Sequence, residues 1–156
     1  MTNLGFFNEA RLASWRQCRR FMLAQQALHD NPSEQEVSAV RNDKLSVQSM
    51  DFAVSIIELV KELKAKRENI ISNQIGRSGT SIGANIREAQ YAHGKADFIA
   101  KLQIALKEAN ETGYWLELLC RTGYIDQTQF QMLEAACRSI RVMLISSINT
   151  AKGKSL

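Results

Sequence analysis

Phe98, Leu102, Ala105, Ala109, Thr112, Leu116 and Leu119 recur at spacings of 4, 3, 4, 3, 4 and 3, a three-heptad run that only an α-helix gathers on one side. Such a stripe is the seam of coiled-coil-like packing, so other helices must cover it. A second set, Ile99, Leu106, Gly113 and Cys120, repeats every seven residues beside the first. This helix therefore shows apolar surface to more than one neighbour. Its middle is built from Ala105, Ala109, Thr112 and Gly113, side chains small enough for another helix to approach closely.

The partners are readable on either side. Ser46 or Ser49 is placed to cap a first bundle helix in which Val47, Met50, Val54, Ile57, Val60 and Leu63 form the apolar stripe. Lys61, Lys64, Lys66 and Arg67 gather at its end, where cations suit the negative pole of the helix dipole. A second helix is expected from about residue 68 to residue 93, stopped by Gly94 in the left-handed conformation. Gly94 also stands where the third helix needs an N-cap, a position that serine fills better. Gly123 ends the third helix. Ile125, Asp126, Gln129 and Phe130 then read as hydrophobic staple, N-cap, capping-box partner and second staple residue of a fourth. The stripe of that helix is Phe130, Leu133, Cys137, Ile140, Leu144 and Ile148. One proline in 156 residues agrees with long helices. The expected class is all-α: an antiparallel up-down four-helix bundle over residues 43–156, preceded by a helical N-terminal extension over residues 1–42.

The stretch QIGRSGTSIGANIRE, residues 74–88, sets three chemistries along one helix. Ile71, Ile75, Ile82, Ile86 and Ala89 make an apolar stripe. Gln74, Ser78, Ser81, Asn85 and Glu88 make a polar ridge at spacings of 4, 3, 4 and 3. Gly76, Gly79 and Gly83 lie on the other flank. Each glycine costs a helix interior about 1 kcal/mol relative to alanine, so a close partner must offset them, and the small-residue middle of the third helix is the expected one. With Gly79 and Gly83, the ridge reads as a helix-packing or subunit interface, because buried amides and hydroxyls fix register. A ligand or RNA site is its other reading.

QIGRSGTSIGANIREAQ at 74–90, KADFIAKLQIALKEANETGYWLELL at 95–119 and TGYI at 122–125 resemble a family of small bacterial four-helix-bundle proteins. It includes proteins encoded within intervening sequences of large-subunit ribosomal RNA genes and the accessory proteins of diversity-generating retroelements. The resemblance runs from Lys44 to Lys152. It implies an up-down bundle assembled into a ring-like homo-oligomer, typically a pentamer, with no known catalytic activity. The retroelement members look like basic scaffolds that bind a reverse transcriptase and nucleic acid, so RNA or DNA and a reverse transcriptase-like protein are the implied partners beside further copies of the chain.

Charge is permissive of that role. The net charge is +4, from 20 basic and 16 acidic side chains, and the isoelectric point is about 9.1. Arg77 and Arg87 lie away from the apolar stripe of their helix, and with Lys101, Lys107, Arg138 and Arg141 they are the candidate nucleic-acid contacts; ring assembly would multiply them. The alternative is a structural or regulatory protein–protein module without nucleic-acid affinity, its arginines a solvated face. Enzyme chemistry finds no support. His29 and His93 are isolated, no Glu-x-x-His pair of a di-iron bundle occurs, and the glycines sit inside a helix instead of a phosphate loop after a strand. Cys18, Cys120 and Cys137 have no C-x-x-C spacing. No cofactor or metal is expected. Without a signal-like or membrane-spanning apolar run, the chain is expected in the cytoplasm, away from membranes.

Residues 1–42 lie outside the resemblance. Phe6, Phe7, Leu12, Trp15, Cys18, Phe21 and Met22 make residues 4–28 a candidate helix, though no single stripe collects them. Asn31, Pro32 and Ser33 followed by Glu34 and Glu36 read as the start of a short helix before Asp43. The extension is either an accessory helix or a segment added by an upstream start assignment, with Val40 a possible internal start.

Overall fold

The computed structural model describes residues 34–153, with side chains from residue 44 onward. The candidate helix over residues 4–28 therefore lies outside the described residues, as do Cys18 and His29. The described chain forms four helices and no strand: α1 (Glu34–Ala65), α2 (Ile70–Ala89), α3 (Lys95–Arg121) and α4 (Gln127–Ala151). Residues Val40–Leu156 form one compact unit, which holds the bundle. Connections of about five residues make consecutive helices antiparallel neighbours. No described helix is long and apolar enough to cross a membrane.

The three-heptad stripe of α3 is the spine of the core. Leu102, Ala105, Ala109, Thr112, Leu116 and Leu119 are all buried. Ile75, Ile82, Ile86 and Ala89 of α2 meet it from one side, and Cys137, Ile140, Leu144 and Ile148 of α4 from the other. Each fully buried leucine or isoleucine contributes roughly 1.5–3 kcal/mol relative to exposure.

α1 corrects the sequence reading twice. It begins at Glu34 and runs unbroken through residue 43, so Ser46 and Ser49 are interior residues and cap nothing. Its core face is Leu45, Phe52, Ile56, Leu59 and Leu63; of the expected stripe only Leu63 is buried, and Val60 is half-buried. Val47, Met50, Val54 and Ile57 are 41–49% exposed. At 100° per residue these four centre on the side of α1 directly opposite Phe52. Two apolar stripes of helical period compete here, and periodicity alone does not choose between them.

The glycines of α2 also have a different partner from the one expected. A Cβ on Gly76 would stand 3.2 Å from Val60, one on Gly79 would be 2.9 Å from Ile56, and one on Gly83 would be 3.5 Å from Ser49. All three neighbours belong to α1, so the close approach is α1 to α2, and α3 lies along the opposite flank.

Helix ends follow local chemistry. α1 closes with Arg67 N–H donating to the Lys64 carbonyl and Glu68 N–H to that of Leu63, the paired bonds of a Schellman cap. Arg67 supplies the left-handed residue at φ 61°, where glycine would be unstrained. Gly123, at φ 75°, does the same for α3. α2 stops at Ala89, four residues before the expected end. Gly94 is extended at φ 178°, so it is no left-handed terminator; it is the N-cap of α3. Asp126 caps α4 by accepting from Gln129 N–H at 2.7 Å. The Gln129 side chain does not complete a capping box; its Nε2 donates to Glu62 of α1 at 3.0 Å.

Candidate functional site

The polar ridge of α2 runs along α3. Ser78 is fully buried, its Oγ 2.9 Å from Thr112 Oγ1, which in turn donates to the Glu108 carbonyl at 2.8 Å. One turn deeper into the sheath of helices, Cys137 Sγ of α4 donates to the Ala109 carbonyl at 3.3 Å. These contacts form a polar layer across α2, α3 and α4 inside an apolar core, a device that fixes helix register. Burial pushes the Cys137 thiol up to about 11, with Glu134 adding to the effect and Arg141 opposing it. It is a packing residue, not a reactive one.

The ridge thins toward its ends. Asn85 Nδ2 donates to the Ser81 carbonyl at 2.8 Å, within α2. Exposed Glu88 accepts from Lys101 Nζ of α3 at 2.6 Å, a hydrogen bond that holds the lysine pKa above its ordinary value. Gln74 and Ser81 are half-buried. Gly79 is buried and Gly83 half-buried against α1. The ridge residues and the glycines thus lie on the two opposite flanks of α2.

The cationic candidates divide into two groups. Arg77 reaches Glu111 at 2.6 Å and Glu108 at 3.9 Å; Glu111 also accepts from Trp115 Nε1 at 3.2 Å. Lys101 pairs with Glu88, and Arg141 pairs with Glu134 beside Gly113. Half of the six are neutralised where they stand. Arg87, Lys107 and Arg138 are exposed and make no ion pair among the described residues. They sit on three different helices. Among the described residues no cluster of histidine, cysteine, aspartate or glutamate is arranged to hold a metal ion.

Two features were missed in the sequence. Glu68, only 7% exposed, folds its carboxylate onto the start of α2 and accepts from the backbone N–H groups of Ile70, Ile71 and Ser72 at 2.7–2.9 Å. An acidic residue before the helix start was the available signal. The second is the outer stripe of α1. Its four side chains repeat with the period of a core stripe, so spacing alone does not mark them as surface.

The model of the 23S rRNA-intervening sequence protein family matches residues 41–146. A crystal structure of a protein of unknown function from the S23 ribosomal protein family of Bacteroides thetaiotaomicron is 52% identical, with a TM-score of 0.69 over 70% of this chain and 98% of that one. No curated protein matches.

Proposed function

The chain belongs to the 23S rRNA-intervening sequence protein family, and we propose that it is a non-enzymatic, self-associating scaffold of the cytoplasm that serves a nucleic-acid-handling partner. The observation that carries self-association is the outer stripe of α1. Four aliphatic and thioether side chains at 3, 4 and 3 spacing face away from the core on one helix, which is what a helix buried on both sides requires. A ring of copies is the form of assembly that the family resemblance favours.

Nucleic acid, or a reverse transcriptase-like protein that carries it, is the proposed partner. Arg87, Lys107 and Arg138 support this reading, since each copy would add the same three exposed cations to one assembly. The competing reading, a protein–protein module without nucleic-acid affinity, draws its support from the carboxylates on Arg77, Lys101 and Arg141. Filter-binding titrations with RNA and single-stranded DNA at about 50 and about 200 mM salt separate the two. Salt-sensitive retention that weakens in the Arg87→Glu, Lys107→Glu, Arg138→Glu variant is the expected result. No retention at either salt would leave the protein–protein module.

A further inference from the structure

We infer that the end of the bundle at the α2–α3 turn is a contact surface for single-stranded nucleic acid, with Tyr91 as a stacking platform and Arg87 and Lys95 as phosphate contacts. The inference rests on the nucleic-acid partner proposed for the chain and names the place and the form in which that polymer is held. Charge is unevenly placed along the bundle. Gln90 Nε2 donates to Ser46 Oγ at 2.8 Å, which joins the end of α2 to α1 beside Lys44. The bond from Cys137 Sγ to the Ala109 carbonyl sets the antiparallel register of α3 and α4, so the end of α4 comes to the level of Lys95. One end of the bundle is thus made of residues 44–50, 87–101 and 145–153. It holds five cations, Lys44, Arg87, Lys95, Lys101 and Lys152, against two carboxylates, Glu88 and Asp97. The remainder of residues 44–153 holds nine of each sign. The positive excess of the described side chains therefore sits at this end.

Both carboxylates are already engaged. Glu88 accepts from Lys101 Nζ at 2.6 Å, and Asp97 accepts from His93 N–H at 3.2 Å. Lys44, Arg87, Lys95 and Lys152 are exposed and make no ion pair among the described residues. Among these cations stands Tyr91, 81% exposed. The turn that carries it is closed by its own backbone, with Tyr91 N–H donating to the Glu88 carbonyl at 3.0 Å and Ala92 N–H to that of Ala89 at 3.2 Å. The ring is held at the surface without being spent in the core. Tyr114, also exposed, instead lies edge-on against Trp115 with ring centroids 4.8 Å apart. Arg87 and Lys95 lie four residues to either side of Tyr91, so a base stacked on the ring has a cation for the phosphate on each flank. A duplex keeps its base faces inside the stack, and an acidic protein segment has charge without a base to stack. The aromatic ring among cations therefore selects the single strand.

The test is fluorescence anisotropy on the full chain with labelled oligo(U) and oligo(dT) of about 20 nucleotides and a duplex of equal length, at about 50 and about 200 mM salt. Both single strands should bind more tightly than the duplex. Tyr91→Ala should weaken single-strand binding about tenfold and Tyr91→Phe by less than about twofold, because the ring and not the hydroxyl makes the contact. Arg87→Gln with Lys95→Gln should reduce the slope of log affinity against log salt by about 1.4, while Lys107→Gln with Arg138→Gln leaves it unchanged. Equal binding of duplex and single strand, parent-like binding by Tyr91→Ala, or poly-glutamate competing as well as oligo(U) would overturn the stacking surface. Binding that responds to the Lys107 and Arg138 substitutions but not to those at the turn would overturn this surface and leave the nucleic-acid partner standing. A parent chain that binds none of the three polymers at the lower salt would overturn both.

Discussion

A methyl group on Gly79 would stand 2.9 Å from both Cγ atoms of Ile56, and the branched side chain of a core isoleucine has nowhere to retreat. Overpacking of that kind costs about 1–3 kcal/mol, more than the gain of roughly 1 kcal/mol from better helix propensity. At Gly83 the same methyl meets only ordinary contacts with Ser49, so the propensity gain survives. Gly79→Ala should lower the urea midpoint and Gly83→Ala should hold or raise it; equal effects would contradict the α1–α2 packing. Cys137 makes a pH prediction. Its folded pKa is raised to about 11 from 9.0, chiefly by burial, so the folded chain holds a proton that the unfolded chain releases. The associated stability is fully present below about pH 9 and is lost as pH rises through about 11. Urea midpoints at about pH 8 and about pH 10.5 should fall more for the parent than for Cys137→Ala, and parallel falls would remove the thiol from the account. The sequence told that three glycines needed a close partner, but not which one: α1 and the middle of α3 both offer small or half-apolar flanks, and only the rotation of α2 decides.

At the scale of the helix, ends and stripes separate what was legible from what was not. The seam of α3 could be read residue by residue because its alternative face, with Gln103, Lys107, Asn110, Glu117 and Arg121, is polar. α1 has no such contrast. Leu45, Phe52, Ile56 and Leu59 compete with Val47, Met50, Val54 and Ile57 at the same period, and burial in the bundle breaks the tie in favour of the larger aromatic and leucine side chains. Caps were legible where a short polar side chain does the work, as at Asp126, and hidden where a long one folds back, as at Glu68. Two substitutions test the ends. An added Cβ at Gly94 meets nothing within 4 Å and the backbone there is extended, so Gly94→Ser should gain a side-chain cap for α3 worth a few tenths of a kcal/mol. Arg67→Gly should relieve the left-handed strain at the end of α1 by about 1 kcal/mol. Both variants should melt above the parent; a lower melting temperature for either would place the helix boundary elsewhere.

For the molecule as a whole, the bundle and its core follow from packing within one chain, whereas the function proposed depends on surfaces that the bundle leaves uncovered. The candidate site divides along that line. Gln74, Ser78, Ser81, Asn85 and Glu88 attracted notice in the sequence for their regular spacing, and Ser78 and Glu88 spend their polar atoms on α3. The outer face of α1 is not legible as surface, because an aliphatic stripe on a bundle helix reads first as core. What makes it a candidate for contact between copies is that the core is already complete without it. The mass of the full chain in solution, measured by sedimentation equilibrium, bears on this most directly. A single species at a fixed multiple of 17.6 kDa, reduced by Val54→Glu without loss of helicity, is expected; a parent chain that stays at 17.6 kDa across the concentration range would contradict self-association.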